Sequence, residues 1–256
     1  MRTVLLGRRG YFCDLLAAQL ERSTAELVGF VEETGQAARR RKIVRELRKR
    51  GFAGTPALAR DLMALRRYGR DWAAYLNENG HSQPGPCPLP TLRVDDVNDS
   101  EVGDHLERLS PDAVLVYGTA IIRAPLLKSI HAPVLNIHGG LVPRYRNVHS
   151  EVWAILDGEA SDIGSSLLHL DAGVDSGAVA DQRRPPILEG DGFFDLRLRN
   201  ILCGIEMAVE AVTRMGSGEV LARVPQDQGE ARMYPTPSAS DIQRLRELTD
   251  DFSRLP

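Results

Sequence analysis

Within its first thirty-one residues the chain runs strand, helix, strand. Thr3-Val-Leu-Leu6 is a short apolar run, Phe12 to Leu20 carries apolar residues at helical spacing, and Ala25 to Val31 is apolar again. Two strands joined by a helix lie parallel in one sheet, because the helix returns the chain to the edge from which it started. This opening predicts an α/β fold with a mostly parallel, Rossmann-like sheet. The first turn, Gly7-Arg8-Arg9-Gly10, lacks Gly-x-Gly-x-x-Gly spacing and reads as a tight strand-to-helix turn rather than a dinucleotide site.

Residues 37–80 break that rhythm with a helical insertion. Thr55-Pro56 reads as a cap followed by proline at the first helical position, and Leu58, Leu62 and Leu65 follow at helical spacing. From Arg39 to Arg70 there are twelve Lys or Arg and two acids, Glu46 and Asp61, a local net of +10 in a chain whose net charge is −3. Such segregation fits either a solvated helix face or a docking surface for a phosphate-bearing or nucleic-acid partner.

Beyond the insertion, Pro84 to Pro90 reads as a loop and Leu92 to Val94 as a strand. Asn98 is placed to cap a helix running to Leu109. Strands are expected at Ala113 to Tyr117, Val134 to Ile137, Gly164 to Leu170, Ala178 to Gln182 and Glu219 to Val224. Helices are expected at Ala124 to Ile130, Val148 to Leu156 and Asp241 to Leu248. Phe194, Leu198, Ile201, Ile205, Val209 and Val212 form the stripe of a further amphipathic helix, and Arg232 to Ser238 is irregular. This predicts a catalytic unit over 1–190 with a helix and irregular tail, 191–256, packed on it.

With 43% hydrophobic and 26% charged residues in 256, the chain can bury a core and is not of disordered composition. Cys13, Cys87 and Cys203 are odd in number and widely spaced, which fits neither a disulfide framework nor a zinc ribbon. The Val4-Leu5-Leu6 run is too short for a signal peptide, and nothing approaches the ~20 apolar residues of a membrane span. A cytoplasmic protein with no membrane partner is expected.

The chemistry concentrates between Asn136 and Gly177. Ala132-Pro-Val-Leu-Asn-Ile-His138 opens into Gly139-Gly-Leu-Val-Pro-Arg-Tyr-Arg-Asn147, and Asp171-Ala-Gly-Val-Asp175-Ser-Gly177 follows. Asn136 and His138 have the same parity on a strand, so both point to one face. An amide to donate to a carbonyl oxygen, an imidazole, and a carboxylate to orient or charge it are the parts of acyl transfer. His138, His149 and Asp175 also offer metal-binding atoms, but helical His-x-x-x-His spacing is absent and no metal is expected. His149 is a candidate acceptor contact or a helix start, and His169 reads as structural. No cysteine lies in a nucleophile motif.

This segment resembles the formyltransferases that use N10-formyltetrahydrofolate, among them the glycinamide ribonucleotide, methionyl-tRNA and amino-sugar enzymes. The match consists of Asn136-Ile-His138, Leu141-Val142-Pro143 and Asp171 to Gly177, and is good over about Val114 to Gln182. Gly139-Gly140 departs from the family's usual Pro or Ala followed by Ser, and Asn147 stands at a usual Gly. Asn tolerates the left-handed conformation better than most residues, so that turn survives. The resemblance implies formyl transfer to a primary amine, with Asn136, His138 and Asp175 catalytic. It implies a folate pocket between Gly118 to Pro125, where backbone groups of Ile121 and Arg123 read the pterin, and the loop holding Asp171 and Val174. The family's tRNA enzyme carries a further β-barrel, for which the ~45 residues after the Phe194 helix are short. A small-molecule amine, an amino sugar or natural-product amine, is therefore the expected acceptor rather than nucleic acid. A homodimer stays open, as do a formyltetrahydrofolate hydrolase and a folate- or partner-binding module without turnover.

Overall fold

A computed structural model describes residues 1–51, 54–81 and 91–256. The Pro84 to Pro90 segment and Cys87 lie outside them. Five strands, β1 (Arg2–Gly7), β2 (Glu26–Glu33), β3 (Thr91–Val94), β4 (Ala113–Tyr117) and β5 (Val134–His138), run parallel in the order β3-β2-β1-β4-β5. Two antiparallel strands, β7 (Ser165–His169) and β8 (Val179–Arg183), extend the sheet beyond β5.

Strand alternation sorts the apolar residues into two layers. Leu5, Leu115, Leu135 and Leu167 face α1 (Tyr11–Arg22) and α7 (Phe193–Gly216), packing on Leu16, Leu20, Ile205 and Val212. Val4, Leu6, Val114, Val116 and Val134 face the other way, against Val102 and Leu106 of α4 (Ser100–Leu109) and Leu126 of α5 (Ala124–Ser129). Burial on both faces explains why these strands read as unbroken apolar runs.

The insertion forms α2 (Gln36–Arg50) and α3 (Thr55–Glu78). Pro56 lies in the first turn of α3 as expected, but Thr55 is already helical, Gly54 holds the cap position, and no side chain caps it. One face of α3 is apolar: Tyr68 and Trp72 pack among Phe193, Phe194, Phe252 and Ile242 of α8 (Ala239–Leu248). Arg197 of α7 lies 4.7 Å over the Trp72 ring and pairs with Glu151 at 3.4 Å. Aromatic pairs such as Tyr68–Phe194 and Trp72–Phe194 contribute about 0.5–1.5 kcal/mol each beyond area burial. α3 is thus anchored to the last third of the chain.

Four local readings need correction. Asn98 does not cap α4; Asp99 holds that position, and the Asn98 amide bonds to Ile121 and Arg123 instead. Glu219 to Val224 forms no strand: it meets β8 only at the Val179–Val224 bridge, and Val220 and Val224 stay exposed. Arg232 to Ser238 contains β9 (Met233–Tyr234), which pairs with β6 (Arg146–Asn147) inside the expected catalytic loop. A two-residue strand is too short to show alternation. Finally, α6 is Ser150–Leu156, and Val148 lies before it.

Candidate active site

Val134, Asn136 and His138 share one face of β5. Val134 is covered by the α4–α5 layer, whereas Asn136 and His138 line a cleft of about 340 Å³ at the strand's C-terminal end. Ligand clefts of α/β sheets open at this end of the strands.

Asp175 arrives from the loop joining β7 to β8. That loop starts low on the sheet, where the Leu170 N–H donates to the Val134 carbonyl at 2.8 Å, and then crosses the face. Asp175 Oδ1 accepts from the Asn136 amide at 3.2 Å. Its Oδ2 accepts from the Asn147 N–H at 2.8 Å and stands 3.5 Å from His138 Nδ1. Both Asn147 (φ 80°) and Asp175 (φ 48°) are left-handed, a conformation Asn and Asp tolerate better than most residues.

His138 is buried, and its Nε2 is 2.7 Å from the Tyr145 carbonyl. A carbonyl only accepts, so Nε2 carries a hydrogen. Nδ1 is then the nitrogen that serves the cleft, and an imidazolium there donates towards Asp175. Gly140 makes room for this anchor. A Cβ at Gly140 would fall 2.5 Å from the Tyr145 carbonyl and 2.4 Å from Ser150 Oγ, so the hydroxyl of Ser150 occupies the space a side chain at 140 would need.

Of the other expected residues, Gly118, Ile121, Asp171 and Val174 line the cleft. Gly118 turns the chain out of β4 at φ 70°. Asp171 shapes its own loop, accepting from the Gly173 N–H at 3.0 Å and the Ser176 hydroxyl at 2.8 Å. Arg123 stands apart. Its N–H donates to Asn98 Oδ1 at 2.6 Å and its guanidinium pairs with Asp96 at 3.4 Å, so the backbone group expected to face a pterin is already engaged. His149 starts α6 in a left-handed conformation (φ 58°). His169 is structural: it bonds the Ala222 carbonyl at 2.8 Å and Arg223 at 2.8 Å. Among the described residues no cluster of His, Cys, Asp or Glu is arranged to hold a metal ion.

Three supports escaped sequence reasoning. Glu33 is buried at the end of β2, and its carboxylate accepts from the N–H groups of Ala120 (2.8 Å) and Val97 (3.1 Å) and from Arg8 (3.1 Å). With Asn98 it fixes the Gly118–Ile122 wall. Gln226 donates to the carbonyls of Asp175 (2.8 Å) and Gly177 (2.7 Å) while accepting from buried Arg146 (2.6 Å). Two acids closing the apolar β2 run were the only sequence signal among these; Gln226 and Asn98 offered none.

A formyl transferase family model matches residues 73–211. The methionyl-tRNA formyltransferase of Anaeromyxobacter dehalogenans (strain 2CP-1 / ATCC BAA-258) is 32% identical over 199 residues, covering 71% of this chain and 63% of that protein. The chain spans about half to two thirds of the first such curated relatives. The crystal structure of phosphoribosylglycinamide formyltransferase from Anaplasma phagocytophilum superposes with a TM-score of 0.59 at 17% identity, over 91% of this chain and 95% of the other. An N-formyltransferase from Helicobacter canadensis, in complex with folinic acid and dTDP-3-aminofucose, superposes with a TM-score of 0.56 at 12% identity, over 91% and 70%.

Proposed function

The chain belongs to the formyl transferase family, and from that premise we propose that it transfers a formyl group from N10-formyltetrahydrofolate to the primary amine of a small-molecule acceptor, an amino sugar or natural-product amine. The observation that carries this reading is the Asn136–Asp175–His138 cluster beside the cleft.

The cleft suits a folate. Its volume falls in the usual range for small-ligand pockets, and Ile121 and Val148, 57% and 40% exposed, present apolar surface at its edge. Gly118, Ile121 and Val174 would hold the pterin, and the donor would supply the formyl carbon. Asn136 spends one amide hydrogen on Asp175 and keeps the second for the formyl oxygen as it gains negative charge. His138, held by Asp175 at Nδ1 and by the Tyr145 carbonyl at Nε2, would place its positive charge beside the same oxygen. Asp175 holds both and accepts the proton that the amine sheds; the bond from the formyl carbon to N10 then breaks, and that proton goes to the departing N10, releasing tetrahydrofolate and the formylated amine. We assign this work to residues 1–190, with 191–256 as the supporting region.

Titration calorimetry with 5-formyltetrahydrofolate is expected to show binding at about micromolar Kd, near −8 kcal/mol; a folded protein that binds none overturns the donor assignment. A turnover assay across an amine panel tests the reaction, and formate release without any amine would mark a hydrolase. A second reading, an aminoacyl amine carried on tRNA, is favoured by the curated relatives and by the basic α2–α3 surface. Charged methionyl-tRNA in the same panel decides between them.

A further inference from the structure

A second cleft, about 690 Å³, lies between α2, α3 and the segment Pro235 to Pro237. Asn147 and Val148 line it, and the same two residues line the cleft that holds Asn136, His138 and Asp175. Asn147, whose N–H holds the Asp175 carboxylate, is therefore part of a wall common to the two cavities.

The charges in this second cleft are unbalanced. Arg39, Arg45, Lys49, Arg50 and Arg66 line it, against Glu46 and Asp61. Both acids are already committed. Glu46 pairs with Lys49 at 3.8 Å and Arg50 at 3.5 Å, and Asp61 pairs with Arg50 at 2.7 Å and accepts the Ala239 N–H at 2.9 Å. Among the described residues Arg39, Arg45 and Arg66 have no carboxylate within ion-pair distance. Leu58, Pro235 and Pro237 supply apolar wall, which strengthens any charge interaction made there relative to open water.

Accepting the formyl-transfer reading, on which this inference rests, we propose that the α2–α3 cleft is the acceptor's anion subsite: it takes the phosphate end of a small phosphate-bearing amine while the amine reaches Asp175 past the shared Asn147–Val148 wall. Three guanidiniums without carboxylates suit an anion with several oxygens and more than one charge, a phosphate ester or diphosphate, better than a single carboxylate. A cleft of about 690 Å³ is of the size that small ligands fill.

The test uses inorganic pyrophosphate, titrated calorimetrically at low ionic strength into the full chain. The cleft variant is Arg39→Ser/Arg45→Ser/Arg66→Ser. The control, Arg60→Ser/Arg67→Ser/Arg70→Ser, removes the same charge from positions outside the cleft. All six side chains are exposed, so both variants are expected to fold, with circular dichroism as the check. Pyrophosphate should bind the parent and the control within about twofold of each other and the cleft variant about tenfold more weakly. Affinity for 5-formyltetrahydrofolate should be the same in all three. Pyrophosphate that fails to bind the parent, or that is lost equally in both variants, overturns the subsite. So does an RNA hairpin that binds the parent, while pyrophosphate does not compete, and is weakened alike by both variants, since that marks an open nucleic-acid face. Failure of the folate analogue to bind, whatever pyrophosphate does, strikes instead at the formyl-transfer reading.

Discussion

Asp175 answers to three groups with two oxygens: the Asn136 amide, the Asn147 N–H and His138 Nδ1. Removing it leaves Asn136 and His138 without their shared orienting partner, so the three residues should behave as one unit. Asn136→Ala, His138→Ala and Asp175→Ala are each expected to lower kcat by at least about 100-fold. The affinity for 5-formyltetrahydrofolate should move much less, because the pterin site proposed above is the Gly118–Ile122 wall and the Asp171 loop. The His138→Ala/Asp175→Ala double variant should be little worse than either single change. Near-parent turnover in any single variant would remove that residue from the catalytic set. This cluster was legible in the sequence because its members sit at fixed short spacings within two motifs. What spacing could not show was the assignment of nitrogens in His138, which depends on a carbonyl seven residues away folding back beneath the ring.

At the scale of elements, the wall of the cleft is a loop held by the side chains of its neighbours. Glu33 from the end of β2 takes the Ala120 N–H, and Asn98 from the turn before α4 takes the Ile121 carbonyl and the Arg123 N–H. Glu33→Gln would turn one accepting oxygen into a donor facing N–H groups and remove the partner of Arg8. Folate-analogue affinity should fall about tenfold, with kcat at saturating donor changed less, and Asn98→Ala should act in the same direction. Equal loss of kcat with unchanged donor affinity would show that the wall serves chemistry rather than binding. The strands and the larger helices could be read from the sequence because burial on both faces leaves long apolar runs and 3.6-residue stripes. Asn98 misled for a physical reason: an Asn before a helix is an excellent local cap, but here a tertiary contact takes its amide. Glu33 and Gln226 act across the fold, and no local spacing marks a partner 87 or 49 residues away.

Across the whole molecule, β7, next to the edge strand of the sheet, is tied to the segment after α7 by His169, which donates from Nε2 to the Ala222 carbonyl and accepts at Nδ1 from Arg223. That pattern needs a neutral ring, and burial lowers the His169 pKa from its ordinary 6.5. The folded value lies below the unfolded one, so the unfolded chain binds more protons in the window between them. The contribution is therefore complete above pH 6.5 and is lost as pH falls towards the lowered folded value. His169→Gln keeps an acceptor for Arg223 and a donor for Ala222 without titrating. Urea unfolding at a series of pH values from about 7 to 5 should show a shallower decline for this variant than for the parent; equal slopes would exclude His169 as a source of acid sensitivity. The returning segment also has a consequence in time. Gln226 clasps the Asp175 loop and Tyr234 pairs with Asn147, so the carboxylate and its N–H partner are secured by residues made about fifty to ninety positions later. A ribosome that has extruded both motifs has delivered the reacting groups but not their restraints. The cleft gains those restraints only after Gln226 and Tyr234 have emerged, so for an interval the growing polypeptide carries the reacting groups without the contacts that hold them.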